Sequence, residues 1–171
     1  MTKKLHRLAQ HLGNILIEHD VTLAVAESCT GGWIAKICTE IPGSSAWFDR
    51  GFVTYSNAAK IEMLAVNADT VEHYGAVSEQ TAIEMVRGVL AHSNADIAIA
   101  VTGIAGPSGG NMHHPIGTVY IAWQKQGKDV QLIKKQFHGT RHRIRAQTVK
   151  TALNECVENR DLYFPRIHKN N

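Results

Sequence analysis

A serine follows the first apolar segment of the sequence, within the motif Ala26–Gly32 (AESCTGG). A hydroxyl at the end of a buried strand can attack a carbonyl carbon, while backbone N–H groups of the next helix face the developing oxyanion. Ser28 is therefore a candidate nucleophile, and Gly31 and Gly32 would let a substrate approach the backbone closely. The alternative is that Ser28 or Thr30 only caps a helix.

A serine hydroxyl is a poor nucleophile until a base takes its proton, and no Ser-His-Asp order with familiar flanking motifs is present. Lys60 is a candidate base, because a desolvated lysine can lose its proton near neutral pH. Tyr55 could relay this proton or orient the amine. Alternatively, Lys60 is a solvated helix residue and Tyr55 a half-buried strand residue. Cys29 is a rival nucleophile, although a buried cysteine commonly serves packing alone.

A second candidate element is the segment 102–115, which is rich in glycine and proline and begins at Thr102. Such loops expose successive backbone N–H groups to anions, so this one could hold a ribose or a phosphate. The alternative is a flexible lid without a ligand, because the sequence is neither a P-loop nor a dinucleotide fingerprint.

Three arginines, Arg141, Arg143 and Arg145, fall in the first turns of the last predicted helix. Cations at a helix N-terminus cost roughly 0.3–1 kcal/mol each when exposed, and an anionic ligand would reverse this balance. Arg141 and Arg145 are four residues apart, so they share a helix face and could clamp a phosphate. The alternative is a solvated basic surface or pairing with glutamates.

A metal site is not predicted. Neither the adjacent pair His113 and His114 nor the pair His138 and His142 has acidic or cysteine ligands at the usual spacing. The three cysteines share no CxxC spacing and indicate no disulfide framework, which favours a reducing compartment.

Hydrophobic periodicity and turn residues predict one α/β domain. Helices are predicted over 4–19, 31–39, from a cap at Asn57 through Leu64, from a cap at Ser78 through Leu90, and from a cap at Thr140 to about Asn159. Strands are predicted over 22–26, 51–55, 96–101, 117–123 and 130–137, the last two as a hairpin. The late hairpin among strand-helix alternations predicts a mixed sheet with helices on both faces, a three-layer sandwich. We assign residues 1–160 to this domain and 161–171 to a loose C-terminal tail.

Composition limits the partners of the chain. With 171 residues, 44% hydrophobic residues and short apolar runs, it fits an ordinary globular protein of the cytoplasm, without a membrane segment. The formal net charge of +3 does not by itself imply nucleic-acid binding, which would rest only on Lys134, Lys135 and the basic run 141–145. A homodimer is the commonest prior for a soluble assembly.

Several long motifs in fixed order resemble the CinA C-terminal domain family, in particular its stand-alone nicotinamide-nucleotide amidases. The resemblance covers about Leu5 to Asn159 and rests on AESCTGG at 26–32, GSSAWF at 43–48, GFVTYSN at 51–57 with Lys60, GAVSE at 75–79 and GIAGP at 103–107. It implies a three-layer α/β/α fold and hydrolysis of nicotinamide mononucleotide to nicotinate mononucleotide and ammonia, without a metal or cofactor. The implied partner is a small pyridine nucleotide.

The resemblance also implies site residues. Ser28 matches the proposed nucleophile, Lys60 and Tyr55 the groups thought to assist it, and Thr102 a second hydroxyl at the site. Arg145 matches an arginine of the family pattern. The argument from the helix N-terminus supports assigning the substrate phosphate to this residue. The expected substrate-binding residues are Glu27, Thr30, Gly31, Gly32, Gly103, Gly106, Arg141 and Arg145.

The chain departs from the family pattern at two positions. Ser108 and Thr140 stand where the family usually has carboxylates. If either carboxylate orients a catalytic group or a ribose hydroxyl, we expect this chain to be slow, altered in substrate choice, or an inactive or regulatory nucleotide-binding paralogue. Thr140 can still cap the helix, so we expect its exchange to matter less.

Overall fold

The computed structural model describes residues 2–164, which form seven helices and five strands. The strands are β1 (Leu23–Glu27), β2 (Phe48–Val53), β3 (Ile97–Gly103), β4 (Thr118–Lys125) and β5 (Gln131–Gln136). The helices are α1 (Thr2–Glu18), α2 (Trp33–Thr39), α3 (Asn57–Leu64), α4 (Ala68–Tyr74), α5 (Glu79–Ala91), α6 (Arg141–Glu158) and α7 (Arg160–Tyr163). A short 3₁₀ turn over Ser44–Ala46 precedes β2.

The sheet has the order β2-β1-β3-β4-β5. β1 pairs in parallel with β2 and β3, whereas β4 and β5 are antiparallel. α1, α2 and α6 contact one another, and α5 packs against the sheet together with α3 and α4. The predicted three-layer α/β/α sandwich with a mixed sheet is confirmed.

Side-chain alternation along the central strands explains the two cores, because successive residues of a strand point to opposite faces. On β3, Ile97, Ile99 and Val101 pack with α1, α2 and α6. Ala98 and Ala100 belong to the other core, which α5 covers. The small alanines allow α5 to lie close to the sheet.

Gly88 on α5 lies close to the end of α3, and a Cβ atom there would clash with the carbonyl group of Leu64. Backbone cannot move aside as a side-chain tip can. We therefore expect Gly88→Ala to lower the free energy of unfolding by about 1–3 kcal/mol or more, as overpacking does. Urea denaturation measures this value, with Arg87→Ala, a substitution at an exposed position of the same helix, as the control. Equal stability of Gly88→Ala and the unsubstituted protein would contradict the packing.

The second strand begins and ends earlier than predicted. It runs from Phe48 to Val53 rather than over 51–55, pairing Phe48 with Leu23 of β1. As an edge strand it keeps Asp49 and Arg50 exposed, which explains why an apolar pattern failed to reveal its first half.

Other boundaries also differ from the predictions. Ser56, not Asn57, is the N-cap of α3, because its hydroxyl accepts the Ala59 N–H at 3.0 Å. α2 begins at Trp33 rather than Gly31, because Gly31 and Gly32 both have positive φ angles. α4 was not predicted, and β3 continues through Thr102 and Gly103, which the sequence had assigned to the loop.

The predicted tail starts at residue 161, and residues 165–171 of it lie outside the described residues. The described part of this tail, residues 161–164, includes the end of α7, and Tyr163 and Phe164 are buried. None of the helices within residues 2–164 combines the length and hydropathy that crossing a bilayer requires.

Candidate active site

A cleft of about 270 Å³ lies at the edge of the sheet where the parallel strands β1, β2 and β3 end. β1 lies between the other two strands, so the strand order reverses there, which is where open α/β sheets bind ligands. The cleft is lined by Ser28, Cys29, Tyr55, Asn57, Lys60, Ala76, Val77, Thr102, Gly103, Ile104, Ala105, Gly106, Ser108, Gly109 and Arg141.

The centre of the cleft is a pair formed by Ser28 and Lys60. The Ser28 hydroxyl lies 3.2 Å from the Lys60 Nζ. Ser28 sits in the turn after β1, where its N–H donates to the Val101 carbonyl at 3.0 Å. Lys60 lies in the second turn of α3 and is 1% exposed. The sequence hypothesis of a serine beside a desolvated lysine agrees with this geometry.

Burial lowers the pKa of Lys60 below its ordinary value of 10.5, because removing the ammonium from water disfavours the charged form. Within residues 2–164 the ion pairs are Lys36–Glu40 and Arg50–Asp49, so no carboxylate of this part holds the proton on Lys60. Its Nζ instead donates to the Thr54 carbonyl at 2.9 Å. A neutral amine anchored in this way keeps a lone pair for the serine proton.

Cys29 also lines the cleft, yet its chemistry differs from that of Ser28. Burial is the main cause that raises the pKa of its thiol to about 12. Since the thiolate is the nucleophilic form, Cys29 stays unreactive at neutral pH.

The turn that carries Ser28 leaves one backbone donor available at the cleft. Among the described residues, no hydrogen bond engages the N–H group of Cys29, which lines the cleft. An unpaired N–H on the residue after a nucleophile is a common component of an oxyanion hole.

Thr102 lies at the end of β3 and is fully buried. Its hydroxyl donates to the Ala76 carbonyl at 2.6 Å. The proton of Thr102 is thus committed to the loop between α4 and α5, and this bond holds Ala76 and Val77 at the cleft wall.

Arg141 closes one side of the cleft. Its Nη1 donates to the Gly106 carbonyl at 2.7 Å and its Nη2 to the Tyr55 hydroxyl at 3.0 Å. Tyr55 is 60% exposed, and its hydroxyl contacts Arg141. The group of Tyr55 that reaches the Lys60 amine is its backbone carbonyl, at 3.5 Å. This geometry favours amine orientation through the backbone over a proton relay through the phenol.

Five residues expected to bind substrate do not line the cleft. Glu27 is 1% exposed, and its carboxylate accepts the N–H groups of Ile34 and Ala35 at 3.0 and 2.8 Å, so it caps α2. Thr30 is fully buried. The other three, Gly31, Gly32 and Arg145, line a separate depression.

The expected clamp of Arg141 and Arg145 on one phosphate is therefore corrected. Residues four apart share a helix face, but these two side chains are one turn of α6 apart. Arg141 lines the cleft, whereas Arg145 lines the separate depression. Arg145 donates to the Thr30 carbonyl at 2.7 Å and lies over the Trp33 ring. It supports the turn that holds Ser28 and leaves the cleft to Arg141.

Several cleft residues escaped the sequence reasoning. Asn57 had been assigned only a capping role, although its spacing of three residues from Lys60 on one helix was a usable signal. Ala76 and Val77 carry no chemical signal of their own. Of the two departures from the family pattern, Ser108 lines the cleft and Thr140 caps α6, accepting the Arg143 N–H at 3.3 Å.

The basic residues that had raised the nucleic-acid alternative occupy separate places. Lys134, on β5, lies over the Tyr120 ring of β4. Arg141 lines the cleft, and Arg145 contacts Trp33. These three side chains, although close in the sequence, make different contacts.

Comparison with known proteins gives concordant matches. The profile of the CinA C-terminal domain family matches residues 5–159. The nicotinamide-nucleotide amidohydrolase PncC of Enterobacter agglomerans is 50% identical over 161 residues, which cover 92% of this chain and 98% of that protein. The protein of the same name from Pseudomonas putida is 48% identical over 151 residues, covering 88% and 94%. The crystal structure of the competence/damage inducible protein CihA from Agrobacterium tumefaciens superposes with a TM-score of 0.88 at 44% identity, covering 90% of this chain and 94% of that one.

Proposed function

Because the chain belongs to the CinA C-terminal domain family, we propose that it is a nicotinamide-nucleotide amidohydrolase, which converts nicotinamide mononucleotide to nicotinate mononucleotide and ammonia. The observation that carries the proposal is the hydrogen bond between Ser28 and a buried, carboxylate-free Lys60 in the cleft at the strand ends. Relatives at 45–50% identity across most of the chain carry this activity in their names.

The proposed reaction passes through an ester on Ser28. Neutral Lys60 takes the hydroxyl proton as the Ser28 oxygen attacks the amide carbon, and the Cys29 N–H stabilises the resulting oxyanion. Lys60 then gives this proton to the departing nitrogen, which leaves as ammonia when the C–N bond breaks. In the second half Lys60 activates a water molecule, which hydrolyses the ester and regenerates the Ser28 hydroxyl.

Arg141 is the residue we assign to the substrate phosphate. Its guanidinium lines the cleft mouth, has no carboxylate partner within residues 2–164, and bonds only to neutral oxygens of Gly106 and Tyr55. A phosphate would replace a neutral acceptor by a charged one, which strengthens the hydrogen bond about twofold.

The proposal is tested by measuring ammonia release from nicotinamide mononucleotide, nicotinamide riboside and nicotinamide. We expect the mononucleotide to be the preferred substrate, since it alone has both the amide and the phosphate. Tight calorimetric binding of nicotinamide mononucleotide without release of ammonia would instead favour the alternative suggested by Ser108, a regulatory paralogue that binds the nucleotide without turnover.

The rate should depend on pH through Lys60. Its pKa lies below 10.5 because of burial, and only the neutral amine can accept the serine proton. We expect kcat/KM to rise about tenfold per pH unit below that pKa and to level off above it, before pH 10.5 is reached. A profile that falls over this range, in buffers of constant ionic strength, would contradict a neutral Lys60.

Arg141→Met should weaken substrate binding selectively. Loss of a charge-assisted hydrogen bond to phosphate is expected to raise KM for nicotinamide mononucleotide by about 10- to 100-fold. Nicotinamide riboside, which lacks the phosphate, should show little change. Arg143→Met is the matched control, because Arg143 is an exposed residue of the same helix and does not line the cleft. A similar rise in KM for both substrates would contradict the assignment of the phosphate to Arg141.

Two further properties remain predictions. A reducing, cytoplasmic location agrees with three free, buried cysteines. A homodimer is the commonest arrangement for soluble assemblies, and light scattering after size-exclusion chromatography measures the molar mass directly.

A further inference from the structure

A second depression, of about 350 Å³, lies beside the catalytic cleft and shares no lining residue with it. The turn after β1, the helix α2 and the helix α6 form its walls. It is lined by Gly31, Gly32, Trp33, Lys36, His142 and Arg145. Its size falls in the range of small-molecule sites, roughly 300–1,000 Å³.

The charges around this depression are of one sign. Lys36 and Arg145 are cationic, and none of the six lining residues is acidic. Lys36 pairs with Glu40 outside the lining, but Arg145 has no carboxylate partner within residues 2–164. The only acceptor that the structure gives Arg145 is the neutral Thr30 carbonyl, and its buried Nε has no hydrogen-bond partner. A half-buried guanidinium without a counter-charge is unfavourable, and an anion would offset this cost.

An aromatic ring accompanies these charges. The Arg145 guanidinium lies over the Trp33 ring at 5.4 Å, and the His142 ring is 5.0 Å from it. Because Nη2 donates to Thr30 and Nε is buried, the group of Arg145 that can donate to a phosphate is Nη1, which has no acceptor within residues 2–164. The volume exceeds what a phosphate alone would need, and the Trp33 ring in the lining suits contact with a flat group on the same ligand.

We propose that this depression is a second, non-catalytic site for a nucleotide, which places its phosphate at Arg145 and its base near Trp33. The proposal does not depend on the amidohydrolase activity, because the two sites share no residue.

Trp33 supplies the readout. The other two tryptophans, Trp47 and Trp123, are each 1% exposed, so a ligand in the depression should change the emission of Trp33. The probes are adenosine 5′-monophosphate, adenosine and inorganic phosphate, with calorimetry as the second measurement. We expect saturable binding of the monophosphate and at least about tenfold weaker binding of either fragment.

Variants assign the site. Arg145→Met should weaken binding of the monophosphate about tenfold or more, whereas Arg143→Met should leave it within about twofold. Because Arg145 also supports the Thr30 turn, Lys36→Met and His142→Gln give an independent test and should each weaken binding severalfold. Arg141→Met, which alters only the cleft, should retain the signal. Absence of binding, binding unaffected by all three depression variants, or binding abolished by Arg141→Met would overturn the proposal.

Discussion

Ser28→Ala is expected to reduce ammonia release from nicotinamide mononucleotide by roughly four to six orders of magnitude, as loss of a serine nucleophile does in other hydrolases. The hydroxyl that lies 3.2 Å from Lys60 is removed, while the fold should remain intact, because only the γ-oxygen of a side chain with 9% exposure is lost. Substrate binding should persist, since Arg141 and the glycine-rich loop are unchanged. A coupled ammonia assay and calorimetry measure the two effects separately.

Cys29→Ala is the matched control for this prediction. It removes the neighbouring reactive atom but preserves the backbone N–H groups of the turn. Since burial raises the pKa of Cys29 to about 12, its thiolate is not available, and activity should stay within about tenfold of the unsubstituted protein. Loss of activity in Cys29→Ala with full activity in Ser28→Ala would mean that the Cys29 thiol, and not the Ser28 hydroxyl, is the nucleophile.

Lys60→Met is expected to lower kcat by at least about 10³-fold, because general-base assistance and proton delivery to the leaving ammonia are both lost. Methionine fills the buried channel of the lysine side chain without an amine. Lys60→Arg separates two roles, since a guanidinium keeps the charge but does not lose its proton. Appreciable activity in Lys60→Arg would mean that a fixed positive charge, rather than a base, assists Ser28.

Burial of Lys60 also predicts a pH dependence of stability, measured against Lys60→Met. The pKa of Lys60 is lower in the folded protein than its ordinary value of 10.5, so between these two values the unfolded chain binds more protons. The free energy of unfolding of the unsubstituted protein should therefore rise with pH relative to Lys60→Met, by at most about 1.4 kcal/mol per pH unit. This advantage is lost as pH falls through the folded pKa. Parallel urea denaturation curves at several pH values, with no change in the difference, would contradict a desolvated Lys60.

The proximity of Ser28 and Lys60, the proposed catalytic pair, could be predicted from sequence because it depends on topology. Ser28 and Thr102 follow apolar strands, and the ends of parallel strands meet at one edge of a sheet. Lys60 follows the next strand within a few residues, so chain connectivity alone brings it near. Motif resemblance then narrowed the chemistry to an amide of a pyridine nucleotide.

The roles of the remaining polar residues depend on side-chain direction, which spacing does not determine. Glu27 precedes the nucleophile, but the alternation of β1 turns it away from the cleft to cap α2. Arg141 and Arg145 share a helix face, yet they line two different depressions. The contribution of Ala76 depends on a contact 26 residues away, with Thr102, which no local pattern indicates.

The most direct test of the account is to locate the covalent intermediate. The protein is mixed with nicotinamide mononucleotide and quenched in acid, where a protonated Lys60 can no longer activate water, and its peptides are weighed by mass spectrometry. The account predicts the acyl group of nicotinate mononucleotide on the oxygen of Ser28. Acylation of Cys29 or Thr102 in place of Ser28 would contradict it.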